Sequence, residues 1–119
     1  MNRRSATFLF GKDIESEVSR EGIVRQLLGF DDSLLMTRVI FETGAVGYVH
    51  SHFYSQLNYV EGGAFDALVA GVERRLGAGD SVYIEPNVVR GVTCREAGVL
   101  LDIFKPARKD LPEDRKHED

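Results

Sequence analysis

Two histidines separated by a single residue are the first feature of this sequence that suggests chemistry. The stretch 44–56 reads GAVGYVHSHFYSQ and contains His50, His52 and Gln56. On a β-strand the two histidines would project from the same face, about 7 Å apart along the backbone, so their imidazoles can converge on one ion. After a turn, Gln56 can return an amide oxygen to the same place. Because imidazole suits Zn, Cu, Fe and Ni, the three residues are candidates for a divalent-metal site. The alternative stays open, since His-x-His pairs also occur by chance on solvated strands.

A second candidate is the carboxylate of Asp102, inside the apolar stretch 99–105. Strand alternation would put Leu100, Asp102 and Phe104 on one face, where a carboxylate between apolar neighbours is desolvated and suited to acid–base work. The planar guanidinium of Arg108 has a geometry suited to a carboxylate, and Phe104 can supply an apolar wall. Each has an ordinary alternative that stays open: Asp102 in a structural ion pair, Phe104 in the core, and Arg108 in solvent.

The sequence pattern predicts that β-strands position these residues. Apolar and β-branched residues cluster in short stretches, which Gly-rich turn signals separate by about 8–12 residues, a pattern typical of a sandwich, barrel or jelly roll. The predicted strands are 34–42, 46–50, 56–61, 65–69, 81–85, 88–93 and 99–105. No long stretch has helical periodicity, so we expect an all-β fold.

The two ends differ from this middle part. Near the start, the short apolar pieces 8–10 and 23–28 are expected to add edge strands. Residues 109–119 are mostly charged and cannot bury enough apolar area to offset the entropy lost on ordering, so we expect a disordered tail. The predicted organisation is one domain over residues 1–108, followed by that tail.

Composition limits the partners and the location. The 119 residues include 15 Lys and Arg against 19 Asp and Glu, a formal charge of −4, which argues against a nucleic-acid partner. The single cysteine, Cys94, excludes a disulfide scaffold and is expected to be a small buried side chain. No apolar run reaches the roughly 18–20 residues that cross a bilayer, and the short apolar start is not typical of a secretory signal. We therefore expect a cytoplasmic protein without a membrane partner. Within the fold, Tyr59 and Tyr83 are expected to pack in the core.

The spacing around the histidines resembles the first sequence motif of the cupin superfamily. The matching residues are Gly44, His50, His52, Gln56 and Gly63, with Gln56 where many members have Glu. The stretch 79–92, GDSVYIEPNVVRGV, resembles the second cupin motif, with Arg90 in the place of the last metal-binding histidine.

Further stretches narrow the resemblance to the pectin-degradation cupins, which convert 4,5-unsaturated monouronates into the linear keto-uronate. These stretches are 35–36, 41–48, 50–52, 59–60 and 96–108. The resemblance implies a single-domain cupin-type β-barrel (jelly roll), a homodimer, and a divalent metal such as Ni, Zn, Cu, Fe or Mn. It also implies that Asp102 transfers a proton, and that Phe104 and Arg108 line a pocket for a small sugar acid.

Arg90 complicates the metal prediction, because a guanidinium keeps its proton and has no lone pair for a metal. At about 5 Å from a divalent ion it would cost about 7 kcal/mol at an effective dielectric constant near 20. Three alternatives stay open: a weakly held metal with Arg90 turned out of the site, a pocket in which Arg90 and the histidines attract a substrate carboxylate, and a vestigial site with Arg90 on the barrel rim. Tyr48 alternates with His50 and His52, which makes it a further candidate for substrate binding.

The leading functional hypothesis is therefore an enzyme that opens the ring of unsaturated monouronates, with Asp102 as the acid–base group. The alternative is a non-catalytic cupin that binds or senses a small carboxylate through a degraded metal site. The opposite face of the Asp102 strand, formed by Val99, Leu101 and Ile103, is equally apolar. Because a strand that is apolar on both faces is covered on both sides, we expect the outer face to pack against a second subunit.

Overall fold

The computed structural model describes residues 3–106, which form eight antiparallel β-strands and one short 3-10 helix at Gly11–Asp13. The strands are β1 Glu17–Arg20, β2 Ile23–Asp31, β3 Leu34–Phe41, β4 Val46–His50, β5 Ser55–Val69, β6 Val72–Gly77, β7 Ser81–Ile84 and β8 Arg90–Lys105. The all-β prediction is confirmed. Over the same residues, no helix combines the length and the apolar character that spanning a membrane requires. The predicted tail and Arg108 lie outside the described residues.

Two long strands organise the sheet. The hydrogen-bonded order is β1-β2-β3-β8-β5-β6, and β4 and β7 add to β8 and β5 respectively. The second half of β8 pairs with β3, whereas its first half pairs with β4. In the same way, one half of β5 pairs with β7 and the other half with β6. Because each long strand changes its neighbour midway, the sheet closes into a barrel.

The predicted breaks inside β5 and β8 are wrong. The sequence predicts turns at Gly62 and Gly63 and at residues 96–98. In the structure both stretches belong to one irregular part of the pairing between β5 and β8, where the register shifts between Val60 and Phe65. A β-carbon on Gly98 would lie 2.1 Å from the carbonyl oxygen of Gly62, so only glycine permits this approach of the two backbones. The irregularity reverses which residues of β5 face inward: Val60 before it and Phe65 after it are both buried.

Other expectations near the start of the chain are also corrected. Residues 8–10 form no strand, and Phe8 and Phe10 are exposed. The piece 23–28 is not an edge strand, because β2 lies between β1 and β3. Strand β6 was not predicted, since its charged residues 73–75 hide the strand pattern.

Alternation inside the strands builds the core. In β3 the buried residues are Leu35, Thr37, Val39 and Phe41. The larger core cluster consists of Ile23, Val39, Phe41, Val60, Phe65, Cys94 and Leu100. The predicted burial of Cys94 is confirmed. The predicted core positions of Tyr59 and Tyr83 are wrong, because both face outward and are 45% and 57% exposed.

Candidate functional site

A cavity of ≈120 Å³ lies inside the barrel, with walls from β1, β2, β3, β4, β5, β7 and β8. It brings together every predicted site residue that the structure describes. These residues are Tyr48, His50, His52, Gln56, Arg90, Asp102 and Phe104. Arg108 lies outside the described residues and stays a prediction. The cavity is smaller than the roughly 300–1,000 Å³ of pockets for drug-sized ligands, which favours a small ligand.

The two histidine rings lie close together, but not for the predicted reason that both project from one strand. His50 ends β4, but His52 lies beyond the strand, so strand alternation does not place it. Their ring centroids are nevertheless 4.4 Å apart. The backbone N–H of Asn87, in the turn between β7 and β8, donates a hydrogen bond to the carbonyl of His52 and fixes this bend. Nδ1 of His50 lies 2.6 Å from the carbonyl oxygen of Tyr48, which can only accept, so the proton is on Nδ1.

A row of aromatic rings extends from His52 into the core. His52 contacts Tyr54 at 4.9 Å between centroids, and Tyr54 contacts Phe104 at 5.8 Å. Tyr54 and Phe104 are both buried, together with Leu27 and Leu35. Phe104 therefore has both roles considered for it, a core side chain and part of the cavity wall. Tyr54 was not among the candidate residues, and its ring sets the position of the His52 ring.

Arg90 is buried inside the site, with only 4% of its surface exposed. Its Nη1 donates to Oε1 of Gln56 at 2.6 Å, and its Nε donates to the carbonyl of Val88 at 2.8 Å. A longer contact of 3.4 Å joins Nη2 to the carbonyl of Glu85. Arg90 is thus neither turned out of the site nor placed on the rim of the barrel.

Gln56 connects Arg90 to the acidic side of the cavity. Its amide oxygen faces Arg90, and its Nε2 donates to Oδ1 of Asn58 at 2.8 Å. Asn58 lies directly opposite Asp102 in the pairing of β5 with β8, and opposite residues of antiparallel strands have β-carbons about 5 Å apart. Asn58 was missed, although its alternation with Gln56 on one strand could have revealed it.

Asp102 faces the cavity from the middle of the sheet. It is partly buried, and its neighbours on the inner face of β8 are Leu100 and Phe104, both buried at 3% exposure. Thr37 of β3 lies opposite Asp102 on the other side from Asn58. The carboxylate therefore stands between apolar and polar neighbours at the cavity wall.

Two arginines without a signal in the sequence also line the cavity. The guanidinium of Arg20, on β1, lies 4.4 Å from the ring centroid of Tyr48, which is itself 58% exposed. Arg25, on β2, forms an ion pair with Glu17 at 3.6 Å. Neither arginine belongs to a recognisable motif, and only the pairing of the first strands brings them to the cavity.

These residues are a poor fit for a tightly bound divalent ion. Among the described residues, no three His, Cys, Asp or Glu side chains are grouped so that they could hold a metal. The proposed third ligand atom, Oε1 of Gln56, accepts a hydrogen bond from Arg90 at 2.6 Å. An ion bonded to that oxygen at about 2 Å would lie within about 5 Å of the guanidinium, where the two positive charges repel strongly.

Comparison with known proteins identifies the fold family. Residues 37–104 match the family described as Cupin domain. The chain is 38% identical over 93 residues to the pectin degradation protein KdgF of Dickeya dadantii, an alignment that covers 76% of this chain and 84% of that protein.

Two solved structures show the same architecture over about nine tenths of this chain. An RmlC-like cupin from Shewanella frigidimarina superposes with a TM-score of 0.88 at 44% identity, covering 90% of this chain and 96% of the other. KdgF from Halomonas sp. superposes with a TM-score of 0.85 at 30% identity, covering 89% and 98%. The strand order, the cavity and these matches agree: the chain belongs to the cupin family, in the branch of the pectin-degradation cupins.

Proposed function

We propose that this protein opens the ring of 4,5-unsaturated monouronates and releases the linear keto-uronate. The observation that supports this most is that Asp102 lines the same cavity as Arg90 and the histidine pair. A carboxylate that can move a proton and a cation that can hold a carboxylate are the two groups that such a substrate requires. The 38% identity to a pectin degradation protein supports the same substrate class.

The reaction is an isomerisation that needs no oxidant or co-reactant. Opening the hemiacetal breaks the bond between C1 and the ring oxygen, the C1 hydroxyl loses its proton to become an aldehyde, and the ring oxygen gains a proton. That oxygen is then an enol on C5. The enol loses its proton as C4 gains one, which leaves a ketone at C5. The enzyme therefore has to move protons between oxygens and one carbon.

Asp102 is the group that moves the proton in this proposal. Its position beside Leu100 and Phe104 limits its contact with water, and the polar Asn58 lies opposite it in the strand pairing. Phe104 forms an apolar wall for the sugar ring, and Tyr48 borders the entrance. Arg90 binds the substrate. Arg108 remains a predicted substrate contact.

A divalent ion at His50, His52 and Gln56 remains a prediction from the family resemblance. The chain's own groups carry each step written above. The imidazoles of His50 and His52 line the same cavity as Gln56. His50 contacts the Tyr48 carbonyl, and His52 contacts the Tyr54 ring.

The proposal is tested by following the ultraviolet absorbance of the conjugated double bond in 4,5-unsaturated galacturonate. Wild-type protein should remove the absorbance faster than buffer, and Asp102→Asn should lower kcat by at least about 100-fold, the usual contribution of a general acid–base group. The matched control is Asp13→Asn, the same substitution on the exposed 3-10 helix, which should retain the wild-type rate. A wild-type rate equal to that of buffer would exclude the proposal.

The second candidate function is non-catalytic binding of a small carboxylate, and the buried Arg90 favours it. A protein of this kind would be stabilised by uronates in a saturable way and would leave the double bond intact. The thermal melting curve and the absorbance assay, made on the same sample, separate the two candidates.

A further inference from the structure

We propose that the guanidinium of Arg90 binds the carboxylate of the sugar acid directly. The site then needs no divalent ion for this contact. The inference depends on the proposed function for its class of ligand, a small monocarboxylate sugar. Beyond that function, the inference names Arg90 as the group that recognises the carboxylate and as the source of the positive charge that attracts it.

The orientation of Arg90 is fixed before any ligand arrives. Three hydrogen bonds run from its guanidinium to Gln56, Val88 and Glu85, and all three acceptors are amide or backbone carbonyl oxygens. These acceptors are electrically neutral, and together they hold the guanidinium in one orientation. A pre-oriented planar fork of N–H donors is the geometry that binds carboxylates well.

The net charge of the cavity lining also favours a carboxylate ligand. The charged residues that line it are Arg20, Arg25, Arg90 and Asp102. Glu17 pairs with Arg25 and offsets one of these positive charges. The lining of the described cavity therefore remains positive before either histidine is counted, which attracts anions and repels metal cations.

The amide of Gln56 strengthens this preference. Its oxygen faces Arg90, and its N–H group faces Asn58, so the side chain is held from both ends. Freeing the oxygen for a metal would break a hydrogen bond from a buried charged donor. Losing such a bond is costly, because a buried charged group that lacks its partner is strongly disfavoured.

The first test measures binding of saturated D-galacturonate, which has the carboxylate but no double bond to react, by calorimetry in buffer with EDTA. Wild type should bind galacturonate and not D-galactose, its neutral counterpart. Arg90→Gln should weaken binding by at least about tenfold, as expected for a lost charge-assisted hydrogen bond. Arg90→Lys keeps the charge without the fork and should bind with intermediate affinity. The matched control is Arg74→Gln on the exposed part of β6, which should bind as wild type does.

The comparison of galacturonate with galactose uses wild type alone, so the test holds even if Arg90→Gln does not fold. Equal affinity for the two sugars, or binding that EDTA abolishes, would overturn the proposal. Tight galacturonate binding through Arg90 without turnover of the unsaturated sugar would support this inference and refute the proposed enzyme.

The second test is elemental analysis after incubation with Ni²⁺, Zn²⁺ or Mn²⁺ and gel filtration. Wild type should retain far less than one ion per chain, and Arg90→His, which removes the fixed charge and adds an imidazole, should retain more. Stoichiometric metal in wild type, unchanged by Arg90→His, would overturn the proposal.

Discussion

At Arg90 a permanently charged side chain is buried beside an amide and near two imidazoles. Burying a charge is unfavourable unless hydrogen bonds replace water, and the carbonyls of Val88 and Glu85 supply them from the turn before β8. These hydrogen bonds to Arg90 are the structural basis of the proposed preference for a carboxylate over a metal ion.

A second charged group gives a prediction away from the cavity. Asp66, on β5, is held between Arg75 and Arg95, with its Oδ2 at 2.5 Å from Nε of Arg95. Hydrogen bonds from Arg75 and then Arg95 lower the pKa of Asp66 from 3.8 to about 2. Because the pKa is lower in the folded state, the stabilisation is present above about pH 4 and is lost as the pH falls toward 2.

We expect Asp66→Asn to lower Tm at neutral pH by a few degrees at most, since exposed ion pairs contribute little. The difference in Tm from wild type should shrink as the pH falls from 4 to 2, and it should also shrink in high salt. Thermal melts followed by circular dichroism measure it, with Asp13→Asn as the control. A Tm difference that stays constant down to pH 2 would show that the ion pairs are not its source.

Individual site residues were predictable to different degrees. The His-x-His spacing and the alternation of Asp102 with Phe104 identified residues that do line the cavity. The direction of the Arg90 side chain could not be predicted, because it depends on carbonyls that only the folded turn presents. Arg20 carries no sequence signal, since its place depends on how the first strands pair with the rest of the sheet.

At the scale of elements, the long strands β5 and β8 position the whole site. β8 contributes Arg90 before the irregular crossing and Asp102 after it, and β5 contributes Gln56 and Asn58 before it. Glycines inside strands and glycines in turns look the same in sequence, which is why both strands were predicted as two pieces. Only the close approach of Gly62 to Gly98 distinguishes them.

Gly98→Ala should therefore be strongly destabilising, because its β-carbon would lie 2.1 Å from the carbonyl oxygen of Gly62 and the backbone would have to move. We expect a loss of about 3 kcal/mol in the free energy of unfolding, the upper part of the range for overpacked sites. Gly77→Ala is the control, since its β-carbon would meet no atom within 4 Å. Urea unfolding measures both, and similar losses in the two variants would contradict this account of the crossing.

For the whole molecule, the outer face of the sheet matters as much as the cavity. Leu57 lies opposite both Ile103 and Tyr83, and Tyr59 lies opposite Leu101. Leu57, Tyr59 and Tyr83 are each 45% exposed or more. An apolar face of this kind is expected to be covered by another protein surface, which keeps the predicted homodimer as a proposal.

Sedimentation at micromolar concentration should therefore give twice the mass of one chain. Leu57→Glu places a charge in the middle of the face and should shift the protein toward monomer. Val72→Glu is the matched control, because Val72 is similarly exposed on β6, outside this face. A wild-type protein that sediments as a monomer would refute the dimer.

The central claim, that this cavity moves a proton onto C4 of an unsaturated uronate, is tested most directly by ¹H NMR of the product formed in D₂O. Because a bound substrate presents one face to the carboxylate of Asp102, we predict that deuterium enters C4 in a single stereochemical configuration, faster than in buffer. A product with deuterium in both configurations, formed at the buffer rate, would contradict the account.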